Sequence, residues 1–204
     1  MNKTIGFIVA ALGILVFATI LLIAIPSVQL SQVPPEAGLK PYTEQELRGR
    51  AIYVSEGCMY CHSQQPRDPS QAPDGSRGWG RPSTPGDYAN DYPHQLGTMR
   101  TGPDLLNIGV RQPSDDWHLT HLYQPRALVD WSIMPSYPYF FEIKDYDNGV
   151  DVVVKLPEKY KPAKGVVVAK QEALDLVAYL KSLKRNYPSE QLQFRAPRKL
   201  EETK

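Results

Sequence analysis

Cysteine is almost absent from this chain: Cys58 and Cys61 are the only two among 204 residues. A disulfide between them would close a tiny loop and add little stability. Zinc needs four ligands. The best set on offer is Cys58, Cys61, His118 and His121, but its histidine gap is short and His62 is left unexplained. A thioredoxin-like pair needs a βαβ setting, which is missing around these cysteines. Net charge is also close to nil. With 23 Lys+Arg against 22 Asp+Glu the formal total is +1, so no basic field points to nucleic acid. Lys and Arg are wholly missing between Lys3 and Lys40.

Glycine and proline, by contrast, are plentiful, at 14 and 19 residues, mostly in the middle of the chain. That composition implies long ordered loops more than a compact helical bundle. Beyond the N-terminal segment there is room for one domain.

The two cysteines sit in Cys58-Met59-Tyr60-Cys61-His62. C-x-x-C-H is the attachment pattern of a c-type haem. Two thiols three residues apart reach the two vinyl groups of one porphyrin and form thioethers, and the following imidazole, His62, can bind the iron. With no third cysteine, the second axial ligand must be methionine or histidine. Met59 lies inside the attachment loop and Met1 at the membrane end, which leaves Met99 and Met134. Pro135 pushes Met134 toward extended backbone, which suits a loop laid over the far face of a haem. His118 and His121 are the next choices; they sit on a short helix begun by Ser114 and Asp115 and ended near Pro125.

Ile5 to Ile25 carries no charge and, apart from Thr19, no strongly polar group. As a helix it spans about 31 Å, the thickness of a bilayer core. Lys3 precedes it, so the positive-inside rule puts the N-terminus in the cytoplasm and the body outside. A cleaved signal peptide would have a shorter apolar core and a small-residue cleavage site; Ile25-Pro26-Ser27-Val28-Gln29 offers none. Residues 1–28 are therefore expected to form a transmembrane anchor. Pro26, Pro34, Pro35 and Pro41 are expected to interrupt helix, with residues 29–42 as a Pro-rich linker. The soluble domain is expected over 43–188, followed by a C-terminal tail over 189–204.

Thr43-Glu44-Gln45-Glu46 reads as a capping box, and its helix should run to about Glu56, with Gly57 as the stop. Ala173, Leu176, Val177, Leu180 and Leu183 form the apolar face of a second helix, Gln171 to Leu183. Val150, Val152 to Val154 and Val166 to Val168 suggest two short strands.

A first helix ending at C-x-x-C-H and a closing helix of the kind Leu176 to Leu183 resemble a class I cytochrome c. The resemblance implies a mainly α fold: one transmembrane helix plus a class I cytochrome c domain with long loops. It implies a helix crossing near Gly49 and Tyr53 and favours Met134 as the iron ligand, since such proteins place their methionine in an M-P segment. It also implies that the Pro103 carbonyl, in Gly102-Pro103-Asp104-Leu105, accepts the Nδ1–H of His62. Arg100 is then placed to pair with a haem propionate, with Arg111 and Arg126 as further candidates.

A narrower resemblance rests on Glu56 to Gln65 with Arg67, on Arg100 to Leu105 with Gly109 and Arg111, on Ser114 to His118 with His121-Leu122-Tyr123 and Pro125-Arg126, and on Met134-Pro135-Ser136-Tyr137-Pro138 with Phe140-Phe141. Together these are similar to the monohaem subunit II of cbb3-type cytochrome c oxidases. That likeness implies one covalent haem c and a place in a bacterial plasma membrane with the haem domain on the outer side. It implies two partners: a catalytic haem-copper oxidase subunit, and another c-type cytochrome as electron donor. The loop Pro66 to Pro93 and Leu96 to Met99 match that family loosely. The cytochrome c subunit of a nitric oxide reductase and a free membrane-tethered shuttle share the same plan.

Overall fold

The computed structural model describes residues 2–193. Its first element, α1 (Lys3–Ser31), is one 29-residue apolar helix, long and hydrophobic enough to cross a membrane. The Asn2 side chain caps it by accepting from the Thr4 amide. Pro26 does not interrupt this helix as the sequence suggested. A π-helical stretch at Ile20–Ala24 precedes it, and the Ile25 amide reaches back to the Ile20 carbonyl. That wider turn accommodates a residue that has no N–H and a bulky ring. The boundary expected at residue 28 therefore falls inside α1.

The segment that follows is not a free linker. Glu36 is buried, and its carboxylate accepts from Thr84 Oγ1 at 2.7 Å and Ser189 Oγ at 2.5 Å. Its amide donates to the Gly86 carbonyl. Gln191 reaches the Pro34 carbonyl, and Gly38 lies against the Tyr187 ring. Only Gln32 and Val33 separate the end of α1 from this clamp. The expected tail at 189–204 begins inside the same clamp, with a short helix at Glu190–Gln193; residues 194–204 lie outside the described residues.

The soluble body is built on α2 (Glu44–Ser55), α3 (Ile108–Arg111), α4 (Asp115–Tyr123), α5 (Gln171–Ser182) and α6 (Glu190–Gln193). Both arms of the Thr43–Glu46 capping box are formed. Helix α2 packs chiefly on α5. They cross at Gly49, where a Cβ would fall 1.9 Å from the Asp175 carbonyl oxygen. Tyr53, fully buried, meets the Tyr179 ring edge-on at 5.4 Å. Arg48 ties the same crossing to Asp175 with two hydrogen bonds.

Strand β1 (Phe141–Lys144) pairs antiparallel with β2 (Val166–Ala169). The valine run at 150–154, expected to form a short strand, contributes only a single bridge, Val153 to Val168. Lys144 and Asn148 hold Asp151, and the Asn148 side chain accepts amides at 150 and 151. Those turn contacts occupy the backbone that a longer strand would need.

Buried carboxylates organise the long loop at 66–93. Asp74 takes Arg100 and the Arg67 amide, Asp87 takes both guanidinium ends of Arg81, and Asp91 takes Arg50 and Tyr42. Each charge is paired, as burial requires.

Candidate haem centre

Gly57 ends α2 in the left-handed region, with φ of 69°, where glycine carries no Cβ penalty. The chain then makes one 3₁₀ turn over Cys58–Tyr60. Cys58 is half-buried and Cys61 exposed. Burial, with Glu56 adding to it, pushes the Cys58 thiol up to about 12.

His62 Nδ1 lies 2.8 Å from the Pro103 carbonyl oxygen. A carbonyl can only accept, so Nδ1 carries the proton and Nε2 keeps its lone pair. Burial lowers the His62 pKa and favours this neutral ring. Two strips of backbone hold the arrangement. The Gly102 amide donates to the Cys61 carbonyl, and the Leu105 amide to the Ser63 carbonyl. Asp104 fastens them further, accepting from Ser63 Oγ and the Gln65 amide at 2.6 Å each and from the Leu106 amide at 2.9 Å. Burial raises the Asp104 pKa, and these hydrogen bonds oppose the rise. Neither Ser63 nor Asp104 had an assigned role in the sequence. The signal was their place in two recognisable runs, but only contact across 41 residues shows what they do.

Met134 is half-buried at the margin of the main apolar cluster, as are Cys58, Met59 and Tyr137. That cluster contains Leu105, Leu119 and Leu122. Met99 is more than half exposed. Tyr137 donates its amide to the Leu122 carbonyl, which joins the Met134 loop to α4.

Arg100 is largely occupied. Its guanidinium donates to Asp74 Oδ1 at 2.7 Å, to the Gln65 carbonyl and to Ser63 Oγ, and it lies over the Trp79 ring. The fully buried Asp74 already meets its charge. A propionate would have to use the N–H groups left over. Arg111 bonds the Asp104 carbonyl through Nη2, while its Nε is buried with no partner. Arg126 is exposed, and its carbonyl accepts from Tyr160.

His118 directs Nε2 at the Gln112 carbonyl, 2.8 Å away, and is buried as a structural side chain. His121 stacks on Trp117 at 4.6 Å. Its Nδ1 is buried without a partner, and burial, His118 and His62 together push its pKa down to about 4.

Among the described residues four buried side-chain polar atoms lack partners: Tyr53 Oη, Gln95 Oε1, Arg111 Nε and His121 Nδ1. Three of them couple electrostatically to the attachment turn. Tyr53 feels Cys58, while Arg111 and His121 both interact with His62. Buried polar atoms are rarely left unpaired. Two thiols, a lone pair on His62, a thioether, an apolar bed and these unpaired donors form a set that fits a haem.

The chain matches the family described as "Cytochrome C oxidase, mono-heme subunit/FixO" over residues 1–171. It belongs to that family. No match is found among curated proteins. A member of this family is a mono-haem subunit of a cytochrome c oxidase, with one haem and a catalytic subunit as partner, and α1 is long and apolar enough to anchor it in a membrane.

Proposed function

We propose that this FixO subunit is the electron-transfer arm of a cbb3-type haem-copper terminal oxidase. It takes electrons from a c-type cytochrome donor and passes them to the catalytic subunit for dioxygen reduction. The observation that carries this reading is the His62–Pro103 hydrogen bond, which leaves Nε2 free to ligate iron.

Cys58 and Cys61 would hold the porphyrin through thioethers. His62 Nε2 and the Met134 thioether would bind its iron, leaving it to carry electrons and not dioxygen. Haem c, when bound, supplies a one-electron Fe(II)/Fe(III) couple, which methionine ligation shifts toward Fe(II). Pro103 fixes the tautomer and orientation of His62. Arg111 and His121, with their unpaired nitrogens, are better placed for propionates than Arg100, whose charge Asp74 already meets. Lys3 favours a cytoplasmic N-terminus in a bacterial plasma membrane, with the haem domain on the outer side.

A free shuttle would need a flexible tether. The buried Glu36 clamp, two residues beyond α1, speaks against one. Purification of the full chain in mild detergent tests the reading. A large multi-helix haem protein should accompany it, and the complex should oxidise reduced cytochrome c with dioxygen. A chain that emerges alone would indicate a shuttle, and a complex that reduces nitric oxide instead would indicate a nitric oxide reductase.

A further inference from the structure

Asp104 is fully buried, one residue beyond the Pro103 carbonyl that orients His62. The groups that bond its carboxylate all donate to it. The Gln65 and Leu106 amides reach it at 2.6 and 2.9 Å. Arg100 Nε donates to Ser63 Oγ at 3.0 Å, which leaves the Ser63 hydrogen for Asp104, 2.6 Å away. A carboxyl surrounded by donors is held as the anion. Ser63 directly follows His62 in the chain, so this anion lies on the His62 side of the candidate centre.

Three other charges share the site. Arg100 stands between Asp74, at 2.7 Å, and Asp104, at 4.0 Å. Arg111 bonds the Asp104 backbone carbonyl, and its charge is felt at His62. The two carboxylates and two guanidiniums balance. Taking away any one leaves a unit charge where the interior screens it poorly. Ferric haem carries one more positive charge than ferrous haem. An anion beside the imidazole therefore favours Fe(III), and an unmatched cation favours Fe(II).

We propose that Asp104 is a positioning residue that sets the redox potential of the centre: its carboxylate offsets the Arg111 guanidinium beside His62, so that the haem is not held as Fe(II) and its electron can move on. This rests on the haem reading above, and it gives one buried side chain control of the driving force. Met134 ligation draws the couple toward Fe(II), and Asp104 limits how far it goes.

The test uses the full haem-loaded chain, poised at the wild-type midpoint potential, with the haem c α band as readout. In Asp104→Asn the ratio of reduced to oxidised haem should rise about tenfold, which is about 59 mV for one electron. Arg111→Gln should move the ratio the other way, and the double variant should return to within about threefold of wild type, because opposite charge effects cancel. A loosened fold has a different signature. It admits water, which favours the more charged Fe(III), and it would move all three variants in the same direction. Asp104→Ser, also uncharged and with an acceptor oxygen, is read in the same way if Asp104→Asn does not retain haem. A lowered melting temperature with an unchanged ratio would make Asp104 a packing residue only and overturn the proposal. So would a shift toward Fe(III) in Asp104→Asn, or a double variant further from wild type than either single change. A wild-type chain that carries no haem would remove the haem reading itself.

Discussion

Gly102 lies flat against the imidazole of His62: a Cβ at this position would come within 2.2 Å of His62 Cε1 and 2.7 Å of Nδ1. The space that a methyl group would fill is occupied by the ring, and the next residue supplies the carbonyl that orients it. Glycine is required at 102 by close approach.

Gly102→Ala should therefore move the His62 ring and break its bond to Pro103. Overpacking of this kind costs about 1–3 kcal/mol. Thermal unfolding of the holoprotein should register that loss, with a weakened low-spin haem spectrum. An unchanged spectrum and melting temperature would contradict the packing.

Met134→Leu keeps the volume at the edge of the core, so its packing cost, apart from the lost iron bond, should stay below about 1.5 kcal/mol. The near-infrared sulfur–iron band of the oxidised protein should vanish, while haem stays on the chain in a denaturing gel. A surviving band would move the ligand to Met99, despite its exposure.

Burial chiefly, with the positive charge of Arg111 adding to it, depresses the His62 pKa. Such a charge favours Fe(II). Arg111→Gln should lower the midpoint potential by roughly 50–100 mV, the scale of one unit charge several ångströms away at an effective dielectric near 20. Potentiometric titration measures it, and no shift would place Arg111 away from the haem.

Glu36→Ala leaves Ser189 without its acceptor in a buried site, while Thr84 keeps only its longer bond to Asp87. An unsatisfied buried polar group costs about 1–3 kcal/mol. Limited proteolysis should then cut the segment at 32–42 much faster than in wild type. Equal cleavage rates would mean that the clamp does not hold the tether.

Hydrogen bonds from Arg48 lower the Asp175 pKa, against the opposing effect of burial. A depressed folded-state value contributes stability above the ordinary carboxylate pKa of about 3.9, and that contribution is lost as pH falls through the folded value. Arg48→Met should melt below wild type at neutral pH, with the gap closing in acid. A gap that persists to about pH 2 would contradict the assignment.

Much of this was legible in the residues themselves. The capping box at Thr43, the stop at Gly57 and the apolar face of α5 depend on local spacing, and local spacing is what a sequence displays. Pro26 misled because a π turn several residues earlier absorbs it, and nothing in the hydrophobic run marks that turn. Strand β1 was missed because Phe141–Lys144 carries two charged residues, while the more strand-like valine run is shortened by the turn that holds the amides at 150 and 151. The pairing of Arg100 with buried Asp74 was not legible, because Asp74 lies 26 residues away in a loop with no regular pattern. The Glu36 clamp was invisible for the same reason: its three strands of chain lie 48 and 153 residues apart.

Intact mass of the mature chain under denaturing conditions, alongside Cys58→Ser and Cys61→Ser, tests covalent ligation most directly. The wild-type chain should carry the mass of one haem and no alkylatable thiol, and the double variant should carry neither haem nor colour. A wild-type chain of bare polypeptide mass, with both thiols free to alkylate, would contradict haem attachment at this site.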